Sequence, residues 1–219
     1  MPPTLRLFLV RHGQVAANRE LRYVGRSDES LTELGRQQAE NLATAFTGLP
    51  ISRIISSPLR RATATAEYIA RATGVAVVGD DRLREQFFGE WEGLSRQEVK
   101  ERSAEDRARL GAWEGDPGIA PPGGDSLLAV QERTVDLVDE LGATAAAGDR
   151  PWIVLVSHVG PIKALLAASL DISLLSGRRI FLDPGTVSVV DWGERSIVRL
   201  CNSYGPAGWG GARWMQERS

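Results

Sequence analysis

The sequence predicts an α/β protein, a three-layer α/β/α sandwich with a mostly parallel central sheet. Short apolar runs, such as Leu5 to Val10 and Trp152 to Val156, have the length of buried strands. Between such runs, apolar residues recur every three or four positions, which is the spacing of a helix with one buried face. Strands that alternate with helices favour a parallel sheet covered on both sides. The chain has 219 residues, 42% of them hydrophobic, which is enough for one core, so residues 1–219 are predicted to form a single domain.

The first elements follow from the order of apolar and polar segments. Leu5 to Val10, interrupted only by Arg6, predicts the first strand, and the polar residues 14–30 after it predict a loop. Ser30 to Glu33 resembles a capping box, which predicts a helix from there to about Thr47.

A second strand is predicted over Ser52 to Ser56. Ser57 followed by Pro58 is typical of a helix start, and that helix is predicted to run to about Ala72. Val75 to Val78 predicts the third strand. The charged segment 79–124, with several glycines, predicts a helical and loop insertion that covers a site.

The second half repeats the alternation. Ser126 is predicted to cap a helix that runs to about Ala147, and Trp152 to Val156 predicts the fourth strand. Another helix is predicted to start at Pro161, and Thr186 to Asp191 with Ser196 to Leu200 predicts a terminal hairpin.

Composition excludes several functional classes. The formal net charge is −2, from 26 basic and 28 acidic residues, so no general basic field attracts nucleic acid or an anionic membrane. Cys201 is the single cysteine, which rules out an internal disulfide, and no Cys/His cluster has zinc-like spacing. The apolar runs are too short to span a membrane, and the first residues do not resemble a signal peptide. We therefore expect a cytoplasmic protein.

The two histidines of the chain occupy equivalent positions. His12 follows the first strand and His158 follows the fourth, and each is followed closely by a glycine, Gly13 or Gly160, that lets a ligand approach the backbone. Ligands of parallel sheets gather where the strands end, so both histidines are expected on one rim. Either histidine alone would most simply be structural. Two of two at this rim, with Arg11 beside one, indicate a site.

The end of the second strand adds an anion-binding element. A helix that starts near Ser57 has free N–H groups and a partial positive charge, and an arginine in its first turn, Arg60 or Arg61, offers a fork suited to phosphate. A neutral imidazole flanked by arginines can attack phosphorus without a metal. The leaving group needs a carboxylic acid, and spacing does not choose between Glu85, Glu90 and Glu92.

Together these motifs resemble the histidine phosphatase family, also called the phosphoglycerate mutase-like superfamily. The resemblance covers about Leu5 to Leu170, with the motifs in the family's order. The matching segments are Leu9–Gln14 with Asn18, Leu31–Ala39, Ser56–Ala62 with Thr65 and Ala66, Leu83–Glu85 with Gly89–Gly93, Pro122–Ser126, and Val156–His158.

The resemblance implies a role for each matching position. His12 would be the nucleophile, and Glu85, rather than Glu90 or Glu92, would be the general acid and base. Arg61 would bind phosphate in preference to Arg60. The implied ligands of the phosphoryl group are Arg11, Asn18, Arg61, His158 and Gly13.

The implied activity is hydrolysis of a small phosphorylated metabolite through a phosphohistidine, with no cofactor and no metal. The segments Ser157–Lys163 and Phe181–Thr186 look most like bacterial acid phosphatases and α-ribazole phosphatases. A cofactor-dependent phosphoglycerate mutase-type phosphotransferase and a non-catalytic phospholigand-binding module are the alternatives. We expect no nucleic-acid or membrane partner, and a homodimer is possible. Trp113, Trp209 and Trp214 would either stack on a substrate or pack internally.

Overall fold

The computed structural model describes residues 5–145 and 150–205, in which six strands form one mixed sheet. The strands lie in the order β3-β2-β4-β1-β5-β6. Their bounds are Leu5–Arg11 (β1), Ile51–Ser56 (β2), Val77–Gly79 (β3), Trp152–Ser157 (β4), Val187–Trp192 (β5) and Ile197–Ser203 (β6).

The central strands are parallel, as the sequence predicts. β1 pairs with β4, β4 with β2, and β2 with β3, all in parallel. β5 is antiparallel to β1, and β6 is antiparallel to β5, which confirms the terminal hairpin. The fold class is therefore confirmed, with a mixed sheet that is parallel over its first four positions.

Eight helices accompany the sheet in the described part of the chain. Their bounds are Ala16–Arg19 (α1), Glu33–Thr44 (α2), Arg60–Thr73 (α3), Arg96–Arg102 (α4), Ala104–Gly115 (α5), Leu127–Ala143 (α6), Val159–Ser169 (α7) and Leu174–Gly177 (α8). Among them, no helix has both the length and the apolar character needed to cross a bilayer.

The helices cover both faces of the sheet and bury two apolar clusters. Successive residues of β1 point to opposite faces, so Phe8 packs with α2 and α3, whereas Leu7 and Leu9 pack with α6 and α7. Burial of apolar surface on both sides explains why β1 and β4 read as continuous apolar runs.

Several predicted element boundaries are wrong. Residues 14–30 are not all loop, because α1 lies within them. The side chain of Thr32, not Ser30, caps α2 by accepting from the N–H of Gly35 at 3.0 Å. α6 ends at Ala143, about four residues earlier than expected.

The starts of α3 and α7 also differ from the prediction. α3 begins at Arg60 rather than Pro58, because the Ser57 hydroxyl accepts from the N–H of Leu59 within a preceding turn and so does not cap the helix. α7 begins at Val159, two residues before Pro161, which places the proline inside the first turn where its missing N–H is tolerated.

The segment 79–124 contains α4, α5 and two short 3₁₀ turns. Its buried centre is Trp91, whose indole N–H donates to Asp106 at 3.0 Å. Trp113 packs edge-on against Tyr23, Phe88 and Trp91, which supports the packing role expected for this tryptophan. Trp209 and Trp214 lie outside the described residues. That the segment acts as a cap, and that the whole chain is one domain, stay predictions.

Candidate active site

The two histidines lie side by side at the carboxyl ends of adjacent strands. The last residue of β1, Arg11, pairs with the last residue of β4, Ser157. The N–H of His12 then donates to the carbonyl of Ser157 at 3.0 Å, and the His12 and His158 ring centroids are 5.0 Å apart. The expectation of one shared rim is confirmed.

One hydrogen bond determines which nitrogen of His12 is available for reaction. Nδ1 lies 2.7 Å from the carbonyl oxygen of Gly13. A carbonyl only accepts, so Nδ1 carries the proton and Nε2 carries a lone pair. His12 is 3% exposed, so this lone pair lies in a nearly closed site.

Close packing of the backbone fixes the turn that carries His12. A Cβ atom on Gly13 would lie 2.3 Å from the carbonyl oxygen of Gly35 in α2. The N–H of Gly13 donates to the Thr65 hydroxyl at 3.1 Å. Gly13 therefore serves its neighbours through both backbone groups, and its predicted contact with phosphate stays a prediction.

Arg61 joins the two histidines. Its Nε lies 3.3 Å from His12 Nε2 and 3.2 Å from His158 Nδ1. Its two terminal nitrogens donate to the carbonyls of Ser27 (2.6 Å) and Gly25 (2.7 Å), which fixes the guanidinium plane. Arg60, by contrast, is exposed, so the structure brings Arg61 and not Arg60 to the histidines.

His158 is held from its other side by a buried serine. Its Nε2 lies 2.8 Å from the hydroxyl of Ser57, at the end of β2. Since Nδ1 accepts from Arg61, Nε2 is the protonated nitrogen and donates to Ser57. Both His158 and Ser57 are completely buried.

Both imidazoles are kept neutral by their surroundings. Burial, followed by the charge of Arg61, holds the pKa of His12 well below its usual range. The pKa of His158 is lowered by the same two causes in the same order. At neutral pH both rings therefore carry lone pairs, which is the form a nucleophilic histidine needs.

Arg11 brings a second guanidinium to the site. Its Nη1 donates to the carbonyl of Leu182 at 2.5 Å. Its Nε is buried and has no hydrogen-bond partner among the described residues. Burial is the main cause that lowers the pKa of Arg11, and the carboxylates of Glu85 and Asp183 act against it. A guanidinium neutralised so incompletely is suited to an anionic ligand.

Glu85 is the carboxyl group that reaches the site. It is 4% exposed, and its oxygens accept from the N–H groups of Gln86 (2.8 Å) and Gly160 (3.2 Å). A side chain at Gly160 would displace Glu85, because a Cβ there would lie 2.2 Å from Glu85 Oε1. Burial raises the pKa of Glu85 despite these hydrogen bonds, which favours the protonated acid.

The rival carboxylates have structural partners elsewhere. Glu90 pairs with Arg102 at 2.5 Å. Glu92 accepts from the backbone N–H groups of Arg26 (3.2 Å) and Phe88 (3.1 Å) and so joins two loops.

Asn18 caps its own short helix, since its Oδ1 accepts from Val15 N–H at 3.1 Å. That Asn18 lines a phosphate pocket stays a prediction.

Sequence reasoning missed two residues that hold the site together. The sequence predicts that Ser57 caps a helix, whereas its hydroxyl in fact fixes His158. Arg133, in the middle of α6, carries no motif signal, yet its guanidinium contacts the loop of Glu85. Within residues 5–145 and 150–205, no group of three or more His, Cys, Asp or Glu side chains is placed to hold a metal ion.

A comparison with protein families agrees with this geometry. The model of the histidine phosphatase superfamily (branch 1) matches residues 7–202. The chain belongs to the histidine phosphatase superfamily. The match includes both histidines, both site arginines and Glu85.

Several curated proteins are similar to this chain over most of its length. A bifunctional protein of Mycobacterium tuberculosis is 38% identical over 208 residues, which are 91% of this chain and 54% of that protein. The chain thus spans about half the length of that relative. Glucosyl-3-phosphoglycerate phosphatase of Mycolicibacterium vanbaalenii is 42% identical over 172 residues, 76% of this chain and 75% of the relative. A probable phosphoglycerate mutase of Escherichia coli is 36% identical over 190 residues, covering 87% and 86%.

Solved structures of histidine phosphatases share the fold over most of the chain. A mycobacterial glucosyl-3-phosphoglycerate phosphatase superimposes with a TM-score of 0.79 at 34% identity, over 91% of this chain and 99% of that one. A putative α-ribazole-5′-P phosphatase from Escherichia coli has a TM-score of 0.80 at 28% identity, over 92% and 97%.

Proposed function

We propose that this protein is a metal-independent phosphomonoesterase that hydrolyses a small phosphorylated metabolite through a phosphohistidine on His12. The observation that carries the proposal is the state of that ring. His12 is buried and neutral, its Nδ1 is held by the Gly13 carbonyl, and its Nε2 lone pair faces Arg61 at 3.3 Å. The relatives named as phosphatases of phosphorylated metabolites support the substrate class.

In the first step His12 Nε2 attacks phosphorus while the ester oxygen leaves. Arg11 and Arg61 offset the charge that develops on the phosphoryl oxygens. That His158 also binds one of these oxygens stays a prediction, because its one N–H donates to Ser57 in this structure. Glu85, protonated because burial raises its pKa, gives its proton to the leaving alkoxide. The products are the free alcohol, the phosphohistidine and an ionised Glu85.

In the second step water replaces the alcohol. Glu85, now a carboxylate, takes a proton from the attacking water, whose oxygen bonds to phosphorus as the bond to His12 Nε2 breaks. Inorganic phosphate leaves, and both His12 and Glu85 return to their starting protonation states.

The proposal is tested by replacing the nucleophile. We expect His12→Ala to abolish phosphate release, because alanine lacks the reacting nitrogen. The variant should retain the circular-dichroism spectrum of the folded protein. Arg61→Lys should reduce kcat/KM by on the order of 100-fold through loss of the guanidinium fork, whereas Arg60→Lys, at the exposed neighbour, should not. Near-normal turnover by His12→Ala would overturn the mechanism.

The acid role is tested on leaving groups. Glu85→Gln cannot donate a proton, so it should slow hydrolysis of phenyl phosphate more than that of 4-nitrophenyl phosphate, whose leaving group needs less protonation. Equal losses on both substrates would remove Glu85 from the acid role.

A phosphotransferase of the mutase type is the second candidate, because a probable phosphoglycerate mutase is 36% identical to this chain. The two activities differ in what accepts the phosphoryl group from His12. Free phosphate released faster than 2- and 3-phosphoglycerate interconvert identifies a phosphatase, and the reverse identifies a mutase.

Labelling of His12 by a phosphodonor in a one-to-one burst excludes a non-catalytic binding module. A cytoplasmic location and a homodimer stay predictions from the sequence.

A further inference from the structure

The loop that carries Glu85 is held by an unusual set of hydrogen bonds. Four consecutive carbonyl groups, those of residues 82–85, all accept from side chains of other elements. Ser157, at the end of β4, donates to the carbonyl of Leu83 at 2.7 Å. The other three carbonyls are bound by one residue, Arg133 of α6.

Arg133 binds these carbonyls with both arms of its guanidinium. Nη1 donates to the carbonyl of Arg82, and Nη2 donates to those of Arg84 (2.5 Å) and Glu85 (3.1 Å). A planar fork with donors in fixed directions can fix several acceptors at once, which a lysine ammonium on a flexible stem cannot. The contact therefore sets the direction of the backbone at Glu85.

Arg133 is also unusual because the groups that bind its positive charge are uncharged backbone carbonyls. Burial lowers the pKa of Arg133, yet no carboxylate forms an ion pair with it among the described residues. Arg82 and Arg84 use their own side chains elsewhere, on Asp80 and Asp81. A half-buried cation whose hydrogen bonds all go to carbonyls is costly for stability.

The two ends of Glu85 are thus fixed from different helices. Arg133 of α6 holds its carbonyl, and the N–H of Gly160 in α7 holds its carboxylate. Between these two points the Glu85 side chain has little freedom to rotate, because it is only 4% exposed. A general acid must lie within hydrogen-bond reach of the leaving oxygen, and a displacement of about 1 Å costs on the order of 100-fold in rate.

We propose that Arg133 is a positioning residue for the general acid: it orients the backbone of residues 82–85 so that the Glu85 carboxyl reaches the leaving oxygen. The inference rests on the proposed function, because it requires Glu85 to donate a proton. A purely structural clamp makes the same contacts, but its loss would slow all substrates alike.

The test combines Arg133→Lys, which keeps the charge and loses the fork, with Arg133→Gln and Glu85→Gln. Arg109→Lys, at an exposed position of α5, is the matched control for an arginine-to-lysine change. For each variant kcat/KM is measured on phenyl phosphate and on 4-nitrophenyl phosphate, with the melting temperature as a check on folding.

We expect Arg133→Lys to lower kcat/KM for phenyl phosphate by on the order of 10- to 100-fold, with a clearly smaller loss for 4-nitrophenyl phosphate. In the Glu85→Gln background the same substitution should have no further effect, because two residues that act through one proton transfer are not additive. Arg109→Lys should match the wild type on both substrates.

Three results would overturn the inference: no loss in Arg133→Lys, equal losses on the two substrates, or a loss that persists in full in the Glu85→Gln background. If Arg133→Gln does not fold, the kinetics of Arg133→Lys alone determine whether the inference holds. A failure of the proposed function is distinguishable, because Glu85→Gln alone would then fail to discriminate between the leaving groups.

Discussion

Replacing Gly160 by alanine would press a methyl group against the proposed general acid. The new Cβ would lie 2.2 Å from Glu85 Oε1 and 3.3 Å from its Cδ. The helical backbone at Gly160 does not itself require glycine, so the contact with Glu85 is the main effect of the substitution. Glu85 must therefore move by about 1 Å, and its two hydrogen bonds from the Gly160 N–H are stretched or lost.

The expected consequence is selective. A displacement of this size costs on the order of 100-fold in kcat/KM where proton donation limits the rate, as for phenyl phosphate. The loss for 4-nitrophenyl phosphate should be several-fold smaller, because its leaving group departs with little protonation. The weaker hydrogen bonding of the ionised carboxylate should also raise the pKa of Glu85 further, which moves the alkaline limb of the pH–rate profile to higher pH.

The assay compares steady-state kinetics of Gly160→Ala and Gly111→Ala on both substrates. Gly111 lies in α5, and a Cβ there meets no atom within 4 Å, so its replacement should leave activity unchanged and add about 0.5–1 kcal/mol of stability. The reasoning is refuted if Gly160→Ala keeps wild-type activity on phenyl phosphate, or if it slows the two substrates equally.

Two further predictions concern stability. The lowered pKa values of His12 and His158 contribute stability above the unfolded pKa of about 6.5, and this stability is lost as the pH falls, by about 1.4 kcal/mol per pH unit for each histidine. The free energy of unfolding, measured with urea at a series of pH values, should fall with this slope below pH ~6.5. The slope should be smaller in His158→Gln. A free energy that does not change with pH would contradict neutral, buried histidine rings. Asp191→Asn should cost about 3–5 kcal/mol, because the buried Arg6 loses the carboxylate that binds it at 2.8 Å, whereas Glu33→Gln in an exposed pair should cost under about 1 kcal/mol. Equal shifts of the urea midpoint in these two variants would show that burial of the pair has no energetic effect.

The sheet and the gathering of the site at its rim are predictable from sequence because both follow from local patterns. Apolar runs of strand length mark β1 and β4, and parallel strands necessarily bring their carboxyl ends together. His12 and His158 were therefore expected to meet. The choice of Glu85 came from the family resemblance, and its burial beside Gly160 agrees with it.

Other features depend on tertiary contacts that no local pattern encodes. The sequence favours Ser57 and Pro58 as a helix start, but the Ser57 hydroxyl is occupied by His158, which is 101 residues away in the chain. The backbone carbonyl of Gly13 determines that the proton of His12 lies on Nδ1. Because every residue has a backbone carbonyl, the sequence does not show which one will do this. Arg133 lies on a helix among ordinary polar residues, so only the folded backbone shows that it faces residues 82–85.

The position of β1 in the sheet has a consequence for biosynthesis. Both neighbours of β1 follow much later in the sequence, β4 at Trp152–Ser157 and β5 at Val187–Trp192, so β1 leaves the ribosome before either of its pairing partners has been made. Contacts of such long sequence separation form slowly and leave apolar strands exposed meanwhile. The nascent protein therefore carries β1 unpaired and apolar until β4 and β5 have been synthesised, and the candidate active site forms only when the centre of the sheet closes.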